Sequence, residues 1–190
     1  MKNKKAGYIV TGQWAKKAYQ EASIYGEAVK LASSEDKTFS YIPDCSDLDI
    51  PDDLDYVYIC ENNTIYGTKY KELPPHEGKL LVADLSSCIL SERTDVSKYD
   101  LIFAGAQKNM GPAGLTVVII KKDLIGLADE KTPSMLNYKT YADNDSMFNT
   151  PPTYAIYICG LVLEWLETQI GGLENMEKIN RQKAKLLYDY

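Results

Sequence analysis

A short apolar run, Leu101-Ile102-Phe103, gives way to Ala104-Gly105-Ala106-Gln107-Lys108-Asn109-Met110-Gly111-Pro112-Ala113-Gly114, and a β-branched run from Leu115 to Ile120 follows. The connection between these two strand-like runs is short, which predicts that they pair antiparallel. Lys108 falls just past the carboxyl end of the first strand, the place where open α/β sheets bind ligands. Small residues on both sides allow backbone or ligand to approach closely, and the glycines permit dihedrals that a Cβ forbids. A lysine so placed, partly removed from water, can serve as a nucleophilic amine. Taken alone, the stretch favours a plainer reading, a solvated lysine with no role.

A second run, Lys79-Leu80-Leu81-Val82-Ala83-Asp84-Leu85-Ser86-Ser87, changes that balance. Here another buried-looking strand ends in a carboxylate. Asp84 could simply cap whatever follows, as acids at strand-to-helix turns do. Two strand ends can also converge on one crevice, one bringing an amine and the other an acid. That pairing suits pyridoxal phosphate chemistry, which needs a lysine to hold the cofactor and an acid to keep its ring nitrogen protonated. Ser86 and Ser87 have no evident base beside them and are read as turn residues, not nucleophiles.

The other segments supply the rest of the fold. Tyr8 to Thr11 reads as a strand that turns at Gly12. Apolar residues at Trp14, Ala18, Ala22, Tyr25, Val29 and Ala32 recur every three or four positions, predicting a helix from about Trp14 to Leu31. Thr38 to Ile42 reads as a strand, Pro43 to Asp53 as an acidic loop, and Tyr56 to Cys60 as a further strand. The polar cluster Glu61-Asn62-Asn63-Thr64 is ordinary turn chemistry on its face, and Gly67 and Thr68 shape the loop after it. Lys131 to Asp145 shows no period and reads as a loop. Thr150 is an apt N-cap ahead of two prolines. The helix expected from Thr153 to Ile170 turns Ile156, Cys159, Gly160, Leu163, Leu166 and Ile170 inward. Gly171-Gly172 stops it and a second helix starts near Leu173. Repeated strand–helix alternation predicts an α/β fold, a three-layer α/β/α sandwich around a mostly parallel sheet with one antiparallel strand.

Composition removes several function classes. A net charge of −6 with no basic run argues against a nucleic-acid surface. No apolar stretch approaches the roughly 20 residues of a membrane span, and Met1-Lys2-Asn3-Lys4-Lys5 leads into no signal-peptide core. Cys45, Cys60, Cys88 and Cys159 lack C-x-x-C spacing, so free, mostly buried thiols in a reducing cytoplasm are expected, with no metal site. The single histidine, His76, lies in the surface turn Leu73-Pro74-Pro75-His76-Glu77-Gly78, which leaves no histidine-based metal cluster and gives His76 no role.

Val82-Ala83-Asp84-Leu85-Ser86-Ser87, Asp95-Val96-Ser97-Lys98-Tyr99 and the whole Lys108 stretch closely resemble the phosphoserine aminotransferases, a family of fold-type I pyridoxal phosphate enzymes of serine biosynthesis. Tyr8-Ile9-Val10-Thr11-Gly12-Gln13-Trp14-Ala15-Lys16-Lys17-Ala18 and Asn62-Asn63-Thr64-Ile65-Tyr66-Gly67-Thr68 extend the resemblance along the chain. It implies that Lys108 and Asp84 are catalytic. Trp14 would stack on the cofactor ring, with Thr64 and Gln107 also in contact with the cofactor. It further implies a homodimer in which Asn149 and Thr150 reach the neighbouring subunit's cofactor phosphate. The substrates would be glutamate and a phosphorylated 2-oxo acid, 3-phosphooxypyruvate, with a related four-carbon substrate in vitamin B6 synthesis.

The resemblance covers the central part of the family's chain. Residues 1–190 are expected to form its cofactor-binding large domain, without the glycine-rich N-terminal segment or the C-terminal small domain that carries substrate-carboxylate arginines. Weak cofactor binding and poor or absent turnover are the corresponding expectation. Two other readings stay open: another fold-type I enzyme such as a cysteine desulfurase relative, and a non-catalytic remnant.

Overall fold

A computed structural model of the chain describes residues 2–76 and 78–190; Glu77 of the proline-marked turn lies outside them. Its centre is a six-stranded sheet. The strands are β1 (Lys5–Val10), β2 (Glu27–Ser33) and β3 (Tyr56–Cys60), then, after a two-stranded hairpin of β4 (Asn62–Asn63) and β5 (Thr68–Lys69), β6 (Leu80–Asp84), β7 (Leu101–Gly105) and β8 (Thr116–Ile120). Their order is β2-β1-β3-β6-β7-β8. Every neighbouring pair is parallel except the last, where Leu101 faces Ile120 and Gly105 faces Thr116 in antiparallel register. The short connection after β7 thus makes the antiparallel return that its length requires.

Side chains alternate across this sheet and build two cores. Ile9, Val57, Ile59, Leu81, Ala83, Ile102 and Ala104 meet on one face, where Cys159 of helix α3 (Thr153–Trp165) packs against them. Tyr8, Val10, Tyr58 and Cys60 meet on the other, under Ala15 of helix α1 (Gln13–Tyr25). The molecule is therefore a mostly parallel mixed sheet with helices on both faces. Ile9, Ile59 and Leu81 are fully buried, each contributing about 1.5–3 kcal/mol relative to exposure.

Several local expectations are corrected. The helix starting near Trp14 ends at Tyr25, and Glu27–Ser33 is the edge strand β2. Gly26 makes the break: a Cβ there would run into the Lys4 carbonyl oxygen, against which the chain must pass to enter the sheet. Val29 and Ala32 continued the three-to-four spacing by coincidence, because β2 is partly exposed on both faces and shows no alternation of its own.

Thr38 to Ile42 is not a strand. A 3-10 turn, Glu35–Lys37, precedes two left-handed residues, Thr38 (φ 53°) and Phe39 (φ 59°). Their unusual backbone turns the Phe39 ring into the α1-side core against Tyr66. Lys131 to Asp145 is not wholly irregular, since it holds a 3-10 turn at Ser134–Leu136 and a short helix α2 (Tyr138–Ala142), capped by the Asn137 side chain accepting from the Lys139 amide at 3.0 Å. Elements this short leave no readable period.

Pro152, not Thr150, occupies the N-cap position of α3, with no side-chain cap. The helix gives way at Leu166–Ile170 to a single π turn, ended by Gly171 at φ 79°. Helix α4 (Leu173–Tyr188) then follows as expected. Of the predicted inward positions, Cys159 and Leu166 are buried, whereas Ile156, Gly160 and Leu163 are exposed and Ala155 is buried in their place. α3 is apolar around most of its circumference, so spacing alone selects no face. Strand–helix alternation is also sparser than expected: only β1 and β2 are joined through an α-helix, and β3, β6 and β7 are reached through loops and 3-10 turns.

Candidate functional site

Because β1, β3, β6 and β7 are parallel, their carboxyl ends share one rim of the sheet, and each delivers a predicted residue there. β1 leads through Gly12 to Trp14, the second residue of α1. β3 leads to Thr64 at the tip of the β4–β5 hairpin, β6 ends in Asp84 itself, and β7 leads to Gln107 and Lys108. Lys108 Nζ lies 5.5 Å from the centroid of the Trp14 ring, and Lys17 Nζ lies 5.0 Å from it. The indole is 42% exposed, so a flat face is open to a ligand.

Asp84 is half-buried, opposite Cys60 on one side and Phe103 on the other. Its Oδ1 accepts from the Ser86 amide at 2.8 Å, and Ser86 Oγ in turn accepts from the Gly105 amide at 3.0 Å. Ser86 thus ties the Asp84 strand end to the strand that carries Lys108. The sequence showed Ser86 only as a turn residue, and its place directly after two strand-end residues was the available signal. Burial pushes the Cys60 thiol up to about 12; the Asp84 carboxylate adds to the rise and the Lys108 ammonium opposes it. Both charges therefore act at Cys60, the last residue of β3, which no motif marks as part of the site. Tyr58, two residues earlier on the same face, is raised well above its ordinary value by burial and then by Asp84.

Gln107 folds back on Gly105, where an added Cβ would lie 2.6 Å from Gln107 Oε1. Lys108 is exposed, which corrects the expectation of a lysine partly removed from water: the Ala106–Gly111 turn, closed by Met110 and Gly111 amides on the Ala106 carbonyl, projects it outward. Thr64 is also exposed and its side chain makes no hydrogen bond among the described residues. Asn149 and Thr150 stand apart, in the exposed segment ahead of α3. Their hydrogen bonding is local, Asn149 Nδ2 to the Thr150 carbonyl at 3.4 Å. The structure brings Trp14, Asp84 and Lys108 to one rim and leaves these two away from any polar contact with it.

Among the described residues no group of His, Cys, Asp and Glu is arranged to hold a metal ion, and no helix is long and apolar enough to cross a membrane. All four cysteines are free and buried. His76 Nδ1 lies 3.3 Å from the Pro74 carbonyl. A cleft of about 770 Å³ beside the hairpin, lined by Cys45, Lys69 and Tyr70 among others, contains none of the predicted site residues.

Comparison with known proteins gives the family of the chain. Residues 2–190 match the family model described as aminotransferase class-V. A phosphoserine aminotransferase of Bacillus cereus is 58% identical over 187 residues, which are 98% of this chain and 52% of that protein. The solved phosphoserine aminotransferase of Bacillus circulans subsp. alkalophilus superposes with a TM-score of 0.93 at 42% identity, covering 97% of this chain and 51% of the other. The PLP-bound phosphoserine aminotransferase of Trichomonas vaginalis superposes at 0.88 with 34% identity, covering 98% and 52%. The chain spans about half the length of the relatives it matches.

Proposed function

The chain belongs to the class-V aminotransferase family, and from that membership we propose that it is the cofactor-binding part of a phosphoserine aminotransferase. The reaction is transfer of the amino group of L-glutamate to 3-phosphooxypyruvate, giving O-phospho-L-serine and 2-oxoglutarate, with pyridoxal phosphate as cofactor. The observation that carries this reading is the meeting of an exposed amine, a half-buried carboxylate and an open indole face on one rim. That donor set fits the cofactor: an amine for its aldehyde, an anion for its ring nitrogen and an apolar plane for its ring.

When bound, pyridoxal phosphate supplies an electron sink for the carbanion at the substrate α-carbon. Asp84 keeps the ring nitrogen protonated, and its own position is fixed by the Ser86 amide. Lys108 Nζ would hold the cofactor through its aldehyde, and the free amine would move the α-proton as a general base and acid. Its exposure at the end of a flexible side chain gives it the reach for both roles. Trp14 orients the ring through its flat face, and Thr64 and Gln107 add polar contacts. Asn149 and Thr150 serve the cofactor phosphate of a second subunit, next to the start of α3, where backbone amides favour anions. Their separation from this chain's own rim contacts supports that assignment. The uncovered Tyr154, Tyr157 and Trp165 of α3 support a homodimer. The four free, buried thiols support a cytoplasmic setting.

The test is to add pyridoxal phosphate to the purified chain, reduce with borohydride and map the modified lysine by mass spectrometry. The expected result is one adduct at Lys108 that disappears in Lys108→Ala. Labelling spread over exposed lysines would sink the proposal.

A further inference from the structure

Asn63 is 2% exposed and sits where the Trp14 element meets the Thr64 element. Its Nδ2 donates to Thr11 Oγ1 at 3.1 Å and to Thr68 Oγ1 at 3.2 Å, so both amide hydrogens are used. Thr11 is fully buried and follows β1 on the way to Trp14. The next residue, Gly12, packs directly on the Asn63 amide: a Cβ there would lie 2.9 Å from Asn63 Cγ and closer still to Oδ1. Gly12 also starts α1, accepting from the Lys16 amide at 2.9 Å. On the other side, the Asn63 carbonyl accepts from the Tyr66 and Gly67 amides at 3.2 and 2.9 Å, closing the turn that presents Thr64.

We propose that Asn63 is a positioning residue of the site: one buried amide that fixes the Trp14 indole relative to the Thr64 hydroxyl and so sets the slot a planar cofactor enters. The ligand in this inference rests on the pyridoxal phosphate reading; the geometry does not. Neither Trp14 nor Thr64 is held by its own side chain, since the indole is open and the Thr64 hydroxyl has no partner among the described residues. Their relative placement is therefore set by the backbone beneath them. The Asn63 side chain links those two segments through the Thr11 hydroxyl, across a sequence separation of 52 residues. A buried amide with both hydrogens committed has one geometry, whereas an apolar side chain of similar size fills the space without fixing it.

The test uses two variants in a Trp165→Phe background, so that Trp14 is the only indole. Asn63→Leu keeps the volume and removes both donations. Thr68→Val removes a single hydrogen bond and keeps the fold measurable if Asn63→Leu does not fold. Each is read by Trp14 emission and acrylamide quenching without cofactor, and then by quenching on titration with pyridoxal phosphate. Borohydride capture at Lys108 completes the set. The expected result is a changed Trp14 signal and cofactor binding weakened at least about tenfold, with Lys108 still captured at saturating cofactor. Trp14 signal and affinity at the parent values, with only a lower thermal midpoint, would overturn the proposal. If the parent itself shows no capture at Lys108, the cofactor reading fails separately. The cofactor-free Trp14 signal still decides the role of Asn63, and an unchanged signal overturns it.

Discussion

Lys108 Nζ stands 5.5 Å from the centre of the Trp14 ring, although β3 and β6 lie between the strands that deliver these two residues. An exposed ammonium over an indole contributes about 0.5–1 kcal/mol, too little to hold two distant elements together. The sheet holds them, and the contact is its consequence. A flat ligand ring can therefore take the place of the ammonium on the indole face at small cost.

Trp14→Ala is expected to cost no more than about 1–2 kcal/mol of stability, because the indole is 42% exposed and only part of its surface is buried by folding. Pyridoxal phosphate binding should weaken about twofold to tenfold, the loss of one aromatic stacking contact. A thermal melt and a cofactor titration check the two halves. A fall in stability without a change in affinity would make Trp14 a packing residue.

Asp84→Asn retains an oxygen for the Ser86 amide, so the fold and the capture of cofactor at Lys108 should survive. The anion is what disappears. In the assembled enzyme the amino-transfer rate should drop by about a hundredfold or more, the scale seen when one charge-stabilising group is removed from a reacting centre. Single-turnover kinetics with glutamate measures it.

The Cys60 thiol is raised from an ordinary 9.0 to about 12 in the folded chain. Between these values the unfolded chain loses the proton and the folded chain keeps it. Stability from this group is therefore fully present below about pH 9 and declines as pH rises towards 12, by up to about 1.4 kcal/mol per pH unit. Cys60→Ala should flatten the alkaline limb of a stability–pH curve measured by urea unfolding. An unaltered slope would show that Cys60 does not contribute to it.

Asp100 is 8% exposed; it accepts from the Leu81 amide at 2.7 Å and from Lys121 Nζ at 2.7 Å. Asp100→Ala strands a buried amide at the start of β6 and is expected to cost about 1–3 kcal/mol. Lys121→Met should cost under about 1 kcal/mol, since that ammonium is half exposed. Equal losses in denaturant unfolding would contradict this division.

The parts of the fold legible in the sequence were those with a strong local cause. Tyr56–Cys60, Leu80–Asp84 and Leu101–Gly105 are apolar runs of strand length at the middle of a mostly parallel sheet, the first buried on both faces and the other two buried on one and half-buried on the other, and they read as strands. Lys108 and Asp84 were visible because each follows such a run directly. The misreadings lie where tertiary contacts decide. Gly26 ends α1 because Lys4 occupies the space beside it, which no local pattern reveals. Phe39 adopts a left-handed backbone to reach a core built from other segments. Asn63 and Ser86 looked like turn residues; Ser86 is one, whereas Asn63 ends β4 and its carbonyl closes the turn that follows. Their work is in bonds to residues 52 and 19 positions away, which spacing does not encode.

β8 is the last strand of the sheet, with Val118 and Ile119 more than a third exposed and its outer row of backbone groups unpaired by any described strand. An open β-branched edge is a template on which other chains can add. Lys121 and Lys122 guard only one end of it. Handled by itself, the chain meets a solubility ceiling at this ribbon: aggregation should grow with concentration even where every molecule is fully folded. Val118→Lys, in mid-strand, should raise that ceiling while leaving the rim at the carboxyl ends of β1, β3, β6 and β7 undisturbed.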